Sequence, residues 1–373
     1  MLDPIVNFFT RVFQWIGRGI GLFVGVLLWP FLWAGRWYTH RGWILKTVLG
    51  AAIIGLVALY AIFFYNTQAW TNFNAAYAES YTFAPPPGTG EEITNEGAEG
   101  EVKTCTTSGI VTVASDLLDF NVNKNGWISS TLLYKLGLFG VDWDHTPFFD
   151  NKAAFQRGVH QSIRRTAVEL VDTIGRVRGT SQIDQNLQDA RGAVEFDEET
   201  WYFGLRPFGP KTPSPSFYRT GITSLRGFND RLLKCEVVFN ARADNLAKFV
   251  DRIASDIGST SDIISRQSQT SNSGWFDTRA DDRFWFAYGQ LYGYYGILKA
   301  SRHDFKAVIE SRGVGPLWDQ LDQQFQAALK IQPVIISNGR EDGWIMPSHL
   351  TTMGFYILRV RSNLVEIRSV LDR

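Results

Sequence analysis

The chain has 373 residues, and its 37 basic and 37 acidic side chains give a net charge of zero at pH 7. This length allows one large domain or two ordinary ones. No basic patch or groove of arginines and aromatics stands out, so the composition argues against nucleic acid as a partner. The charge is uneven, because residues 1–66 carry five basic side chains and one acidic one.

Residues 1–66 are predicted to anchor the chain in a membrane. The segment 47–65, TVLGAAIIGLVALYAIFFY, is uncharged and long enough to cross a bilayer as a helix. No small-residue cleavage site follows it, which favours an anchor over a removed signal peptide. The uncharged segment 19–35 is shorter and contains Pro30. We therefore expect residues 2–35 to form an interfacial or re-entrant segment, with a first crossing of the membrane as the alternative.

The orientation follows from the positive charges. Residues 36–46 carry Arg36, Arg41 and Lys46, whereas no Lys or Arg occurs between residues 47 and 102. By the positive-inside rule the basic loop is cytoplasmic and the rest of the chain lies outside. In a bacterium this predicts an inner-membrane protein with a periplasmic main domain, in contact with membrane lipids.

A glycine stripe lies in the first apolar segment. Gly17, Gly21 and Gly25 are four residues apart, the spacing that lets membrane helices pack closely. We expect helix packing there, although a glycine-rich segment also produces this spacing by chance.

Residues 67–104 are predicted to be a flexible acidic linker. The stretch FAPPPGTGEEITNEGAEGEVK is rich in proline, glycine and glutamate and is too polar to bury a core. The main domain, residues 105–373, follows it.

Residues 105–373 show helical periodicity and no convincing strand pattern. Alternate steps of four and three from Tyr218 to Ile264 meet apolar residues at eleven of fourteen positions, which predicts one very long helix. Similar stripes run through residues 159–177 and 350–371, and further helices are expected near 277–301 and 314–331. The predicted fold class is all-α, with N-terminal membrane helices and an elongated antiparallel helical bundle.

Five blocks of this domain carry a resemblance to a known family. They are TIGRVRGTSQID (173–184), NARADNLAKFVDRIASDIGS (240–259), GWFDTRADD (274–282), GQLYGYY (289–295) and DGWIMPSHL (342–350). Over residues 110–372 the chain resembles a proteobacterial family of single-anchor inner-membrane proteins, domain of unknown function number two-three-three-three. The resemblance implies a membrane anchor and a helical domain. It supplies no reaction and no catalytic residue.

The loop NVNKNGWISSTLL (121–133) has asparagines and a glycine in the places of a calcium loop. None of its ligand positions is anionic, so we interpret it as a turn. The histidines show no metal-ligand spacing, and no nucleophile, phosphate-loop or zinc motif is present. We expect no enzyme activity, cofactor or metal.

Two polar clusters are candidate interaction surfaces. One contains Asp277, Arg279, Asp281 and Asp282, which also suit the cap and first turn of a helix. The other contains Arg176 and Arg178 before a glycine, which also suit a helix C-terminus or a site for an anion or lipid headgroup.

These features favour a membrane-anchored scaffold, or an accessory subunit of a complex, that binds other inner-membrane or periplasmic proteins. The alternative is a carrier or sensor of a hydrophobic ligand held in the aromatic region 275–295. An open apolar cavity there favours the carrier, and a filled core favours the scaffold.

The two cysteines, Cys105 and Cys235, are candidates for a disulfide, since isolated thiols in an oxidising periplasm tend to be joined. The alternative is a free Cys105 and a buried, reduced Cys235. A bridge requires Cα atoms within about 7 Å.

Overall fold

The computed structural model describes residues 3–86, 105–137, 142, 146, 149–176, 183–205, 207–271, 274, 277–340 and 346–373, without the side chains before Thr10 and that of Leu205. Helices dominate, which confirms the all-α prediction. They are α1 (Asp3–Thr39), α2 (Trp43–Gln68), α3 (Gly109–Asp119), α4 (Leu132–Leu136), α5 (Asn151–Glu169), α6 (Gln185–Val194), α7 (Ser214–Leu233), α8 (Ala243–Thr270), α9 (Ala280–Asp304), α10 (Lys306–Ser311), α11 (Gly315–Leu329) and α12 (His349–Leu371). A hairpin of β1 (Phe203–Leu205) and β2 (Phe208–Pro210) is antiparallel and pairs Gly204 with Gly209.

The chain divides into two compact units, Met1–Ile62 and Phe63–Arg373. In the first unit α1 runs through Pro30 without a break, so the expected re-entrant turn is not formed. Both α1 and α2 are long and apolar enough to cross a membrane. Within the described part of the chain, nothing lies within 4 Å of a Cβ placed on Gly17, Gly21 or Gly25, so their packing role stays a prediction.

The second unit begins earlier than the sequence predicts. Trp70, Phe73 and Tyr77 pack against its core, and the Tyr77 hydroxyl donates to the Tyr292 carbonyl at 2.8 Å. Residues 67–86 are therefore part of the folded unit and not linker, because their aromatic side chains bury apolar area. The rest of the predicted linker, 87–104, lies outside the described residues.

The predicted very long helix is wrong, because it is two helices, α7 and α8. The break is a Schellman motif: Cys235 N–H donates to Leu232 O at 3.0 Å and Glu236 N–H donates to Arg231 O at 3.0 Å. Cys235 has φ of 61°, the left-handed conformation in which such a cap usually holds glycine. The apolar stripe resumes beyond the cap, which is why the sequence pattern spans the break.

Helix packing in the second unit is only partly antiparallel. α8 and α12 run in opposite directions, with Ser268 beside Thr351 and Asp251 paired with Arg368. All seven stripe positions of α12 are buried, as the heptad pattern predicts. α5 and α9 instead run parallel, because α6, α7 and α8 intervene and no short loop joins them. Their crossing is close, since a Cβ on Gly289 would overlap the Phe155 carbonyl.

Candidate functional site

The predicted acidic cluster lies between α8 and α9. Its Asp277 connects the end of α8 to the segment between α11 and α12. The Asp277 carboxylate accepts hydrogen bonds from Gln267 Nε2 at 3.0 Å and from Asn338 Nδ2 at 2.8 Å. Asn338 also forms isolated bridges with Gly274 and Ser348, so two of the family-like blocks meet here. The carboxylate of Asp277 is therefore engaged mainly in hydrogen bonds within the chain.

A serine and a histidine at this junction do not form a catalytic pair. His349 Nδ1 accepts the Ser337 backbone N–H at 3.0 Å, and the Ser337 hydroxyl lies 3.3 Å from the same nitrogen. The hydroxyl can instead donate to the Pro347 carbonyl at 2.5 Å. Because Nδ1 already accepts a hydrogen bond from the Ser337 backbone N–H, it is not positioned to remove the serine proton. Burial also lowers the pKa of His349.

Asp281 is not a surface residue, contrary to the sequence prediction. Its side chain is 4% exposed and lies in the first turn of α9, on the inward face that also carries Phe284 and Tyr288. Desolvation raises its pKa to about 7. Arg279 is exposed and Asp282 is half-buried, so Arg279 is the most exposed residue of this cluster.

Burial of Asp281 predicts a pH-dependent stability. The pKa of Asp281 is higher in the folded chain than in the unfolded chain. The contribution of its protonated carboxyl to the free energy of unfolding is therefore complete below about pH 4 and is lost as pH rises through about 7. Asp281→Asn is expected to be more stable than the wild type by about 2 kcal/mol at pH 8, with little difference at pH 4. Thermal melting of the detergent-solubilised chain at both pH values checks this. Asp282→Asn is the control, and an equal pH-dependent gain in that variant would contradict the assignment.

Arg176 follows a π-helical turn, Leu170–Ile174, that continues α5, and its side chain caps the end of that turn. Its Nε donates to the Val171 carbonyl at 3.0 Å, and the side chain is half-buried. This contact uses one of the five guanidinium donors to hold the helix end, and the anion or headgroup site stays a prediction. Arg178 lies outside the described residues.

The described part of the aromatic region is a filled core. Tyr288, Tyr292 and Tyr294 are buried, and Phe155 and Phe73 pack against the first two rings. A filled core is what the sequence analysis associates with a scaffold, and the scaffold role itself stays a prediction. Trp275 and Phe276 lie outside the described residues.

A buried carboxylate within this core was not found from the sequence. Asp256 on α8 accepts from Gln290 Nε2 at 2.6 Å and from Tyr294 Oη at 2.7 Å, and it pairs with Arg165 at 3.1 Å. The network ties α8 to α5 and α9. Burial and the neighbouring carboxylate raise the pKa of Tyr294 well above its ordinary value, so its hydroxyl remains a donor.

A second buried carboxylate, Asp304, holds the start of α3. It accepts from Ser108 Oγ at 2.6 Å, Gly109 N at 2.8 Å and Ile110 N at 3.0 Å, which satisfies donors that a helix N-terminus leaves unpaired. Asn229 Oδ1 accepts the Ser108 N–H at 3.0 Å from the other side. Three residues earlier, Cys105 forms a disulfide with Cys235, with the Cα atoms 5.6 Å apart.

Removing the Asp304 charge is expected to weaken the hydrogen bonds that hold the start of α3. Asp304→Asn places an amide where carboxylate oxygens accept from backbone donors, and we expect a loss of about 2 kcal/mol. Denaturant unfolding of the full chain measures it. Asp319→Asn removes the exposed ion pair with Arg302 and should change stability by less than about 1 kcal/mol. Equal losses of unfolding free energy in the two variants would contradict this role of Asp304.

A groove of about 610 Å³ lies at the same end of the bundle, lined by Tyr81, Phe83, Lys299, Arg302 and Lys306 among others. Its cations are paired: Lys299 lies 2.6 Å from Glu79, and Arg302 lies 2.6 Å from Asp319. Because the charges are balanced, the groove does not single out an anionic ligand.

Lys152, at the start of α5, holds the residues that follow the second apolar span. Its Nζ is buried and donates to the carbonyls of Asn66 at 2.7 Å and Ala69 at 2.8 Å, at the end of α2. Desolvation lowers its pKa to about 8. The side chain therefore fixes Asn66 and Ala69, both in the second unit, to α5.

The asparagine loop does not form a simple turn throughout: Asn121 and Asn123 lie in a π-helical turn, Phe120–Lys124, that continues α3, and the chain turns at Asn125 and Gly126. Asn121 is buried and donates to the Gln156 carbonyl at 3.0 Å, while Gln156 Nε2 donates to Asn121 O and Gly126 O. Gly126 has φ of 66°, which explains its place in the turn. Among the described residues, no group of three His, Cys, Asp or Glu side chains is placed to hold a metal ion.

The comparisons give a family and no activity. No curated protein and no solved structure matches the chain. The model of a family described as an uncharacterized protein conserved in bacteria, DUF2333, matches residues 90–272 and 264–373. This agrees with the five sequence blocks, and the chain belongs to the DUF2333 family.

Proposed function

We propose that this protein is a membrane-anchored helical scaffold or accessory subunit that binds other proteins of the bacterial envelope. The observation that carries the proposal is the exposure of the two apolar helices. Almost none of the candidate span in α1 or α2 is buried within the protein, so their apolar side chains need lipid to cover them. The second unit is the part that meets partners.

The charge distribution supports a periplasmic location for the second unit. Arg36 in the last turn of α1, Arg41 in the connecting turn and Lys46 in the first turn of α2 lie at the junction of the two apolar helices, and no basic residue follows α2 until Lys103. The disulfide between Cys105 and Cys235 suits the same oxidising compartment.

The outer face of α12 is the surface best suited to a helical partner. Phe355, Leu358 and Val365 are exposed with the spacing of a helix seam, while the opposite face of α12 is buried against α8. The Arg359 guanidinium lies over the Phe355 ring, 5.4 Å from its centre. An amphipathic helix of another envelope protein would cover these side chains.

Reporters fused to the C-terminus of the full chain test the orientation. A phosphatase that is active only outside the cytoplasm should be active there, and a fluorescent protein that matures only in the cytoplasm should stay dark. The reverse pattern would overturn the periplasmic location.

A further inference from the structure

Three segments of the second unit present large apolar side chains to solvent. Phe208 at the tip of the β-hairpin is 80% exposed, and Val334 in the loop after α11 is 91% exposed. Leu136 on α4 is also mostly exposed. Further exposed apolar residues in the same segments are Leu132, Tyr202, Phe203 and Ile335.

All three segments lie at one end of the unit, which we call the entry end. It consists of residues 63–70, where the chain enters the unit, and the first turns of α5 and α9. Lys152 on α5 binds the carbonyls of Asn66 and Ala69. On α9, the Trp285 ring centre lies 5.0 Å from that of Trp70.

The hairpin and α4 are fixed to the second turn of α5. Arg157 Nη2 pairs with Glu199, three residues before Tyr202 and four before the first hairpin strand, at 3.0 Å. The same guanidinium lies over the Tyr134 ring of α4 at 5.5 Å, and Lys135 lies 4.0 Å from Glu199. Arg157 follows Lys152 by little more than one turn, so both segments lie close to the chain entry.

The loop with Val334 and Ile335 is fixed to the start of α9. Gln332 Nε2 donates to the Tyr288 hydroxyl at 2.9 Å, and that hydroxyl donates to the Leu329 carbonyl at 2.7 Å. Tyr288 lies about one turn from Trp285, whose ring packs against Trp70. This loop is therefore at the entry end as well.

The entry end follows directly on α2, the helix proposed to cross the membrane. The uncharged apolar run of α2 ends at Tyr65, and Lys152 binds the carbonyls one and four residues later. At about 1.5 Å per residue these groups lie within roughly 10 Å of the end of the span. Segments that enter the headgroup region typically carry aromatic and leucine side chains beside basic ones. Here Phe208 is near Lys211 in the sequence, and Leu136 is next to Lys135.

We propose that the entry end is a second lipid-binding surface, in which α4, the β-hairpin and the 334–335 loop enter the headgroup region of the leaflet where α2 ends. The proposal rests on the anchor of the proposed function. It assigns the exposed side chains to lipid, whereas the outer face of α12 remains for a protein partner.

Lipid quenching of site-specific fluorophores tests this surface. The full chain is placed in vesicles of phosphatidylethanolamine and phosphatidylglycerol, with nitrobenzoxadiazole attached to single cysteines in Phe208→Cys and Ile335→Cys. Labelling without reductant keeps the native disulfide closed. Ala58→Cys, in α2, reports the anchor. Val365→Cys is the matched control, because Val365 is 47% exposed and Ile335 48%, and Val365 lies in the C-terminal half of α12.

Vesicles that contain doxyl-labelled lipid should quench the probes at positions 58, 208 and 335 by at least about half, and leave the probe at 365 unchanged. Quenching at 58 with positions 208 and 335 both equal to 365 would overturn the lipid surface and leave the anchor intact. Quenching at only one of 208 and 335 would also overturn it, since the proposal places the whole end in lipid. An unquenched probe at 58 would overturn the anchor itself. Melting temperatures of all variants confirm that each has folded.

Discussion

Replacing Gly158 with alanine is expected to destabilise the protein by about 3 kcal/mol, because it separates α5 from α9. A Cβ on Gly158 would overlap the Phe286 carbonyl oxygen and lie 2.8 Å from the Gln290 backbone nitrogen. Backbone atoms cannot rotate away as a side chain can, so the helices themselves must move. The movement would disturb the packed rings of Phe155 and Tyr288 on either side of the crossing.

Urea unfolding of the full chain in detergent measures the effect, and a fall in melting temperature of roughly 5 °C or more should accompany it. Gly192→Ala is the control, since nothing lies within 4 Å of a Cβ at that exposed position in α6. There alanine should stabilise by up to about 1 kcal/mol, because it replaces a flexible residue within a helix. A Gly158→Ala variant as stable as the wild type would contradict the close crossing.

Removing the disulfide is expected to have a still larger effect. The bond between Cys105 and Cys235 closes a loop of 130 residues, and in the chain-entropy model its loss costs about 4 kcal/mol. Cys105→Ser with Cys235→Ser should therefore lower the free energy of unfolding by about that amount. Thiol alkylation followed by non-reducing mass spectrometry first shows whether the native cysteines are joined. Two fully alkylated cysteines in protein extracted from the membrane would contradict the bond.

The helix cap at Cys235 offers a sharper control. Cys235 is in the left-handed conformation, which glycine adopts without strain and serine does not. Cys105→Ser with Cys235→Gly should recover about 1 kcal/mol relative to the double serine variant. A glycine variant no more stable than the serine variant would mean that the Schellman cap is lost along with the bond.

Periodicity predicted the helices well where one face is wholly apolar. α12 is the clearest case, because each of its seven stripe positions is buried. The break between α7 and α8 was not predictable, since its cap has cysteine in the place of glycine and apolar residues continue on both sides. The early start of the second unit was missed for another reason. The composition of residues 83–103 was extended to residues 67–82, although Trp70, Phe73 and Tyr77 belong to a core.

The candidate site was harder to predict, because burial depends on helix phase. Asp281 belongs to a charged run in the sequence, but it shares a helical face with Phe284 and Tyr288, and that spacing could have shown that it points inward. Asp256 and Asp304 are different. Each is a single acid whose partners come from distant elements, such as Gln290 for Asp256 and Gly109 for Asp304, and no local pattern links them.

Photo-crosslinking in intact cells tests the proposed scaffold role most directly. A photoreactive amino acid at Leu358, on the outer face of α12, is compared with one at Thr223, an exposed position on α7. The proposal predicts an adduct at Leu358 that contains this chain and a different envelope protein, is absent at Thr223 and is lost in Phe355→Glu. An adduct of two copies of this chain, or equal labelling at Leu358 and Thr223, would contradict it.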